Sequence, residues 1–259
     1  MPKAKVNGIE LYYEVHGQGY PVVFLHGFSA SHVMWQPQVP ALSREHQFII
    51  YDARGHGQSD SPPSADQYSA DIVVEDLFQL LGHLGIKKAV VGGLSMGGYE
   101  SLRFYLTHPD MVTALIVMDT GPGYRNPEHR DEWNRGREEL AQQLETQGIE
   151  ALAVTATERR RDVVLDHNPI GLAHMSRKVV AQHDSWVIEN LDKITVPTLV
   201  LVGENDEAFL RAADYMARKI TGAEHIVVPK AGHAANIDNT EFFNKALVDF
   251  LGKLNVPGG

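Results

Sequence analysis

The chain has 259 residues, 43% of them hydrophobic and 22% charged, a composition typical of a folded globular protein rather than a disordered chain. Its formal net charge of −10 at pH 7 disfavours nucleic acid and anionic membrane surfaces as partners, because both repel an acidic protein. The sequence has no cysteine, which excludes disulfides, thiolate metal sites and a cysteine nucleophile. The first residues contain no apolar signal core, so we expect a cytoplasmic location.

Short apolar runs alternate with helical patterns along most of the chain. Leu11–Val15 and Val22–Leu25 are predicted strands, and the turn residues His16–Gly19 between them favour a hairpin that pairs the two. Five later runs are also predicted strands, at Phe48–Tyr51, Ala89–Val91, Ala114–Met118, Thr198–Val202 and Ile226–Val228. Helical periodicity follows most of them. This alternation indicates an α/β protein with a mostly parallel sheet covered on both faces.

The segment 121–190 interrupts this alternation, because it has no strand-like run and its charged sequence has a helical pattern. It lies between two predicted strands, so it is an insertion into one domain rather than a linker to a second. We therefore expect a core domain formed by residues 1–120 and 191–259, and a helical cap formed by residues 121–190.

The strongest motif is Gly93-Leu94-Ser95-Met96-Gly97, which follows a predicted strand and precedes a predicted helix. A serine on such a tight turn exposes its hydroxyl, and the glycine two residues away on either side relieves crowding. The start of the helix places backbone N–H groups near any charge that develops beside Ser95. A nucleotide-binding turn is the alternative, but neither G-x-G-x-x-G nor a Walker lysine motif occurs. The motif predicts that Ser95 is a catalytic nucleophile.

A serine hydroxyl needs a general base, and thirteen histidines are candidates. His233 is favoured because it follows the last predicted strand, at the edge of the sheet where Ser95 is also expected. His26 and His56 are predicted at the same edge, but in tight turns that they are expected to shape. The sequence therefore predicts His233 as the base.

The base in turn needs a carboxylate that orients the imidazole and stabilises its protonated form. Asp206 follows the predicted strand before that of His233, and elements adjacent in sequence tend to be neighbours in space. Asp206 is therefore favoured. Asp119, at the end of the preceding strand, is the main rival, and Glu204 and Glu207 are further candidates.

Two backbone N–H groups are expected to stabilise the negative charge of a tetrahedral intermediate. Met96, the residue after the predicted nucleophile, supplies one of them. The loop at residues 25–29 follows an early strand and is expected to supply the other. Phe28 is the first choice for this second oxyanion-hole donor, and Ser29 is the second.

The chain resembles members of the α/β-hydrolase superfamily over nearly its whole length, and five segments that match them occur in the same order. They are His26-Gly27-Phe28, the run from Asp52 to Ser59, the turn at Ser95, Gly203–Asp206 and Gly232-His233. The resemblance implies the α/β-hydrolase fold, with a mostly parallel eight-stranded sheet, helices on both faces, a Ser-His-Asp triad and a helical cap after the sixth strand. The segment 34–38 is also similar to small esterases, enol-lactonases and cofactor-free perhydrolases. Ser95 at the nucleophile position, instead of aspartate, argues against epoxide hydrolases and haloalkane dehalogenases.

Together these motifs predict a carboxylic-ester hydrolase that forms an acyl-enzyme intermediate and needs neither a cofactor nor a metal. The expected partner is a small-molecule ester or lactone. The same triad would serve a lactonase or enol-lactonase, a carbon–carbon bond hydrolase or a perhydrolase. A ligand-sensing signalling module with slow turnover is the alternative of a different class. The oligomeric state stays open, with a homodimer among the candidates.

Apolar residues near the predicted site indicate a small to medium apolar substrate. Trp35, Met118 and Phe209 are predicted to line the pocket. Two tryptophans of the insertion are candidates for its cap side, Trp133 and Trp186. A substrate carboxylate would be attracted by several arginines, although such charged runs are usually solvated: Arg125, Arg130 and Arg159-Arg160-Arg161.

Overall fold

The computed structural model of the chain describes residues 2–152 and 168–254. Within them, eight strands form one sheet: β1 (Lys3–Val6), β2 (Ile9–His16), β3 (Tyr20–Leu25), β4 (His46–Tyr51), β5 (Ala89–Leu94), β6 (Val112–Met118), β7 (Thr198–Gly203) and β8 (Glu224–Val228). Their order is β1-β2-β4-β3-β5-β6-β7-β8. The β1–β2 and β2–β4 pairs are antiparallel, and all pairs from β4 to β8 are parallel. The predicted mostly parallel sheet is therefore confirmed.

The predicted hairpin between β2 and β3 is wrong. The two strands flank β4, which pairs antiparallel with β2 and parallel with β3. A Cβ atom at Gly17 would lie 2.2 Å from the backbone oxygen of Ser43, so the segment leading into β4 packs against the turn itself. The turn residues reverse the direction of the chain locally, but the apolar strand β4 lies between β2 and β3 and pairs with both.

Nine α-helices lie in the described part of the chain: α1 (Val39–Leu42), α2 (Ala70–His83), α3 (Met96–Thr107), α4 (Pro127–Gln147), α5 (Pro169–Met175), α6 (Trp186–Glu189), α7 (Glu207–Lys219), α8 (Ala235–Asp238) and α9 (Thr240–Leu251). The sheet separates two apolar cores, because successive side chains of a strand point to opposite faces. Val23 and Leu25 of β3 belong to the core beneath α2, α3 and α7. Val22 and Phe24 belong to the core beneath α1 and α9.

The insertion between β6 and β7 contains helices α4, α5 and α6 in its described residues. Asn126 is the N-cap of helix α4, because its side chain accepts a hydrogen bond from the backbone N–H of Glu128, and the helix ends before Gly148. It packs on α5 through a small apolar cluster that Phe28 also contacts. This cluster places the insertion beside the loop after β3. The domain boundaries of the cap stay a prediction, and no helix in the two described ranges is long and apolar enough to cross a membrane.

Candidate active site

Ser95 lies on a strained turn between β5 and α3. Its φ is 56° and its ψ is −112°, a backbone conformation that residues with a side chain rarely adopt. A Cβ atom at Gly97 would lie 2.1 Å from the backbone oxygen of Leu25, so only glycine permits this close approach. The Ser95 N–H donates to the Met118 carbonyl at 2.8 Å, and the Thr120 hydroxyl donates to the Ser95 carbonyl at 2.7 Å. The turn is thereby fixed to the neighbouring strand.

The side chains of Ser95, His233 and Asp206 meet at the carboxyl edge of the sheet. Ser95 Oγ lies 3.0 Å from His233 Nε2, and His233 Nδ1 lies 2.8 Å from Asp206 Oδ2. When Nδ1 carries the ring proton and donates it to the Asp206 carboxylate, Nε2 can accept the proton of the serine hydroxyl. Asp206 is buried, whereas the other two acid candidates beside it, Glu204 and Glu207, are exposed.

Asp119, the main rival for the acid role, is fully buried and accepts hydrogen bonds from backbone groups. Its Oδ1 accepts from Gly203 N at 2.8 Å, and its Oδ2 accepts from Ala235 N at 3.1 Å. Burial raises the pKa of Asp119 to about 7, although both hydrogen bonds and the nearby His233 act in the opposite direction. Because Gly203 ends β7 and Ala235 begins α8, this carboxyl group connects the loops that carry Asp206 and His233.

The two expected oxyanion-hole residues, Phe28 and Met96, line one cavity together with Ser95. The backbone N–H of Ser29, the second choice, donates to His56 Nε2 at 3.2 Å. His56 therefore orders the loop after β3, as its position in a tight turn predicted. Since the Ser29 N–H has this partner, Phe28 is the better placed of the two candidates from that loop.

A cavity of about 460 Å³ opens at Ser95, between the sheet edge and the helices of the insertion. Phe209 lines it, and its ring stacks on the His233 imidazole with the centroids 5.0 Å apart and the planes at 26°. Trp133 of α4, in the insertion, also lines the cavity. A volume of this size suits a small to medium organic ligand.

The prediction that Trp35 and Met118 line the pocket is wrong, because both are fully buried in the core beneath α1 and α9. The Trp35 ring packs on Phe24 with the centroids 5.0 Å apart. The alternation of side chains along β6 points Met118 into the same core rather than into the cavity. Trp186 also lies elsewhere, beneath the guanidinium of Arg103.

Sequence reasoning missed three charged residues that line the cavity: Glu100, Arg137 and the exposed Arg211. Glu100 is buried, and burial raises its pKa to about 8, so its carboxyl group is mostly protonated at pH 7. The guanidinium of Arg137 lies 4.6 Å from the ring centroid of Trp133. The available signals were positional: Glu100 comes one turn of α3 after the nucleophile motif, and Arg137 follows Trp133 by four helical residues.

The arginines singled out from the sequence lie outside the cavity or outside the described residues. Arg125 is exposed, and the Arg130 guanidinium donates to the carbonyls of Tyr124 and Arg125. The Arg159–Arg161 run falls in the segment that the structure does not describe. Among the residues that it does describe, no group of three or more His, Asp or Glu side chains is placed to hold a metal ion.

Comparison with known proteins places the chain in a family. A family model described as the alpha/beta hydrolase fold matches residues 20–240. A thermophilic esterase from Thermogutta terrifontis, solved with malate bound, is 30% identical, with a TM-score of 0.89 over 99% of this chain and 100% of that chain. The enol-lactonase from Burkholderia xenovorans LB400 is 30% identical, with a TM-score of 0.85 over 97% and 100% of the two chains.

A further relative comes from Bacillus subtilis (strain 168), a protein assigned as a 2-succinyl-6-hydroxy-2,4-cyclohexadiene-1-carboxylate synthase. It is 29% identical over 246 residues, which cover 89% of each chain. The family model extends from the third strand to the last helix. The resemblance predicted from the motifs is therefore confirmed, and the chain is a hydrolase of the α/β-hydrolase fold family.

Proposed function

We propose that the protein hydrolyses small to medium carboxylic esters through an acyl-enzyme intermediate on Ser95. The observation that carries this proposal is the unbroken hydrogen-bonded line from Ser95 Oγ through His233 to Asp206. The line ends in a cavity of suitable size. The likeness to an esterase and an enol-lactonase, each 30% identical, supports the same reaction class.

Acylation begins when Ser95 Oγ attacks the ester carbonyl carbon and His233 Nε2 takes the hydroxyl proton. Asp206 stabilises the imidazolium that results. The carbonyl oxygen becomes negatively charged and accepts hydrogen bonds from the backbone N–H groups of Phe28 and Met96, each worth about 100- to 1,000-fold in rate. The intermediate collapses when His233 returns the proton to the leaving alcohol.

Deacylation repeats these steps with water. A water molecule gives its proton to His233 Nε2 as its oxygen attacks the acyl carbon, and the same two N–H groups stabilise the second oxyanion. The bond to Ser95 Oγ then breaks, and His233 returns the proton to the serine. The carboxylic acid leaves, and the enzyme is restored.

A lactone is a cyclic ester and would follow the same steps, with the alcohol still attached to the acyl group. The enol-lactonase neighbour favours keeping lactones in the proposal. A panel of p-nitrophenyl esters, lactones and vinylogous diketones, each assayed with and without hydrogen peroxide, separates the esterase, lactonase, carbon–carbon hydrolase and perhydrolase activities. Ligand stabilisation with a single turnover and no further product release would instead favour the signalling module.

Replacing the nucleophile tests the proposal. Ser95→Ala is expected to lower kcat/KM for p-nitrophenyl butyrate by about 1,000-fold or more, because no acyl-enzyme can form. Ser64→Ala is the matched control, since Ser64 is exposed and outside the cavity. Thermal unfolding of all three proteins shows whether the fold is intact. A Ser95→Ala enzyme that retains a rate within ten-fold of wild type contradicts the proposal.

A further inference from the structure

Arg137 is a cation in the cavity that has no charged partner among the described residues. Its side chain is half-buried, and its Nε atom is buried with no hydrogen-bond partner in the described part of the chain. None of the ion pairs between described residues includes Arg137. Two glutamates of the same helix, Glu138 and Glu145, both bind Arg177 instead, with Glu138 Oε2 at 2.6 Å from Arg177 Nε. Burial also lowers the pKa of Arg137, as expected for a cation removed from water.

The described residues that line the cavity carry more positive than negative charge, although the whole protein is negatively charged. The formal net charge is −10, so most of the surface repels anions. Two arginines line the cavity: the half-buried Arg137 and the exposed Arg211. Among the described residues of the lining, the one carboxyl group is that of Glu100, which is mostly protonated at pH 7 because burial raises its pKa to about 8.

The Arg137 guanidinium is held in position before any ligand arrives. It stacks on the Trp133 indole, whose Nε1 donates to the Val180 carbonyl at 2.8 Å. Next to it on α4, Asn134 donates to the Gln182 carbonyl at 2.9 Å and accepts from its N–H at 2.7 Å. These bonds fix α4 to the segment before α6. A guanidinium that is already ordered loses little conformational entropy when it binds.

Stacking on Trp133 does not satisfy the hydrogen-bonding capacity of Arg137. The indole ring offers no hydrogen-bond acceptor in its plane, whereas the five N–H donors of the guanidinium need acceptors. A carboxylate offers two oxygens in the geometry that matches this fork. The structure therefore shows a positioned donor group within the cavity that contains Ser95, with no acceptor from the described residues.

We propose that Arg137 binds a free carboxylate on the substrate, so that the preferred substrates are esters or lactones carrying a second, ionised carboxyl group. The statement about substrates rests on the proposed ester hydrolysis, whereas the statement about binding does not. Arg135 offers a matched control, because it is also on α4 but is exposed and does not line the cavity.

A binding experiment tests the site without any turnover. Monomethyl glutarate carries one ester and one carboxylate, and the Ser95→Ala variant is expected to bind it intact. In calorimetry, adding Arg137→Gln to that variant should raise the Kd by about 10- to 100-fold, the effect of losing a charge-assisted pair. Adding Arg135→Gln should change the Kd by about two-fold or less. Undetectable binding to Ser95→Ala, or equal binding with and without Arg137, overturns the inference.

A kinetic experiment tests the substrate class. The measured quantity is the ratio of kcat/KM for p-nitrophenyl hydrogen glutarate to kcat/KM for p-nitrophenyl pentanoate, which has nearly the same length. The ratio should exceed one in the wild type, fall about ten-fold or more in Arg137→Gln and be partly restored in Arg137→Lys. A general disturbance of the cap would lower both rates and leave the ratio unchanged, which would count against the inference.

The two experiments separate this inference from the proposed function. If monomethyl glutarate binds through Arg137 but the wild type hydrolyses no ester, the proposed function fails and the carboxylate site stands. If the wild type hydrolyses neutral esters and the ratio is the same in all variants, the carboxylate site fails and the ester hydrolase stands. An equivalent pair with the charge on the alcohol, 4-acetoxybenzoate and phenyl acetate, shows which side of the ester faces Arg137.

Discussion

Asp119 and Asp206 follow the neighbouring strands β6 and β7, and it is Asp206 that accepts the hydrogen bond from His233 Nδ1, at 2.8 Å. The two oxygens of Asp119 instead accept from the backbone of Gly203 and Ala235. The carboxyl group of Asp206 faces the proposed base, His233. The carboxyl group of Asp119 instead connects the loops on which Asp206 and His233 lie. Two substitutions of the same kind should therefore have different consequences.

Asp206→Asn should reduce kcat for p-nitrophenyl butyrate by about 10,000-fold while leaving the fold intact. An amide in this position favours the wrong tautomer of His233 and no longer stabilises the imidazolium. Steady-state kinetics with thermal unfolding as the control check this prediction. A loss of less than ten-fold would mean that another carboxylate supports His233.

Asp119→Asn should mainly reduce stability. Asparagine tolerates the positive φ of 46° at this position, but its amide nitrogen cannot accept one of the two backbone hydrogen bonds. A buried N–H left without an acceptor costs about 1–3 kcal/mol. Urea unfolding measures this loss, and kcat should fall much less than in Asp206→Asn. An equal fall in kcat at unchanged stability would exchange the roles of the two residues.

Glu100 should make the stability depend on pH. Burial raises its pKa from 4.5 to about 8, and although Arg103 opposes the shift, Asp71 and Asp184 add to it. Between these two pH values the folded protein keeps a proton that the unfolded chain releases, so stability decreases as pH rises. The free energy of unfolding of wild type, relative to Glu100→Gln, should fall from pH 4.5 to pH 8 by on the order of 4 kcal/mol.

The comparison with Glu100→Gln removes the contributions of all other titrating groups, since they are common to both proteins. Urea unfolding at pH 5, 6, 7 and 8 therefore isolates the effect of this carboxyl group. A difference between the two proteins that stays constant over this range would show that Glu100 is ionised throughout.

Gly97→Ala should prevent the turn at Ser95 from forming. The added methyl group would lie 2.1 Å from the Leu25 backbone oxygen, and neither backbone segment can move without disturbing the sheet. We expect a loss of about 4 kcal/mol or more in stability. Gly136→Ala is the control, because no atom lies within 4 Å of a Cβ there and alanine favours the helix by about 1 kcal/mol. Similar stabilities for the two variants would contradict the described geometry of the turn.

The positions of Ser95, Asp206 and His233 could be predicted because each follows a strand of a parallel sheet. The carboxyl ends of such strands share one edge, so the order of elements alone brings these residues to the same region. The pairing of β2 with β4 could not be predicted in the same way. The turn before β3 contains the residues of a hairpin, and the competition from β4 is a long-range effect.

The lining of the cavity was much less accessible to sequence reasoning. An apolar side chain such as Trp35 can face a pocket or a core, and the packing on Phe24 decides which. Arginines are frequent in α4, and only the tertiary structure distinguishes the exposed Arg135 from Arg137, which lines the cavity two residues later. Composition and periodicity do not determine which charged residue of a helix lines a cavity.

The central claim is that Ser95 is the nucleophile, and covalent trapping tests it most directly. A fluorophosphonate reacts with a serine that a neighbouring base activates, and peptide mapping of the labelled protein identifies the residue. We expect one label per chain, on Ser95, and greatly slowed labelling in His233→Ala. A label on another residue of the folded protein, or equally fast labelling without His233, would contradict it.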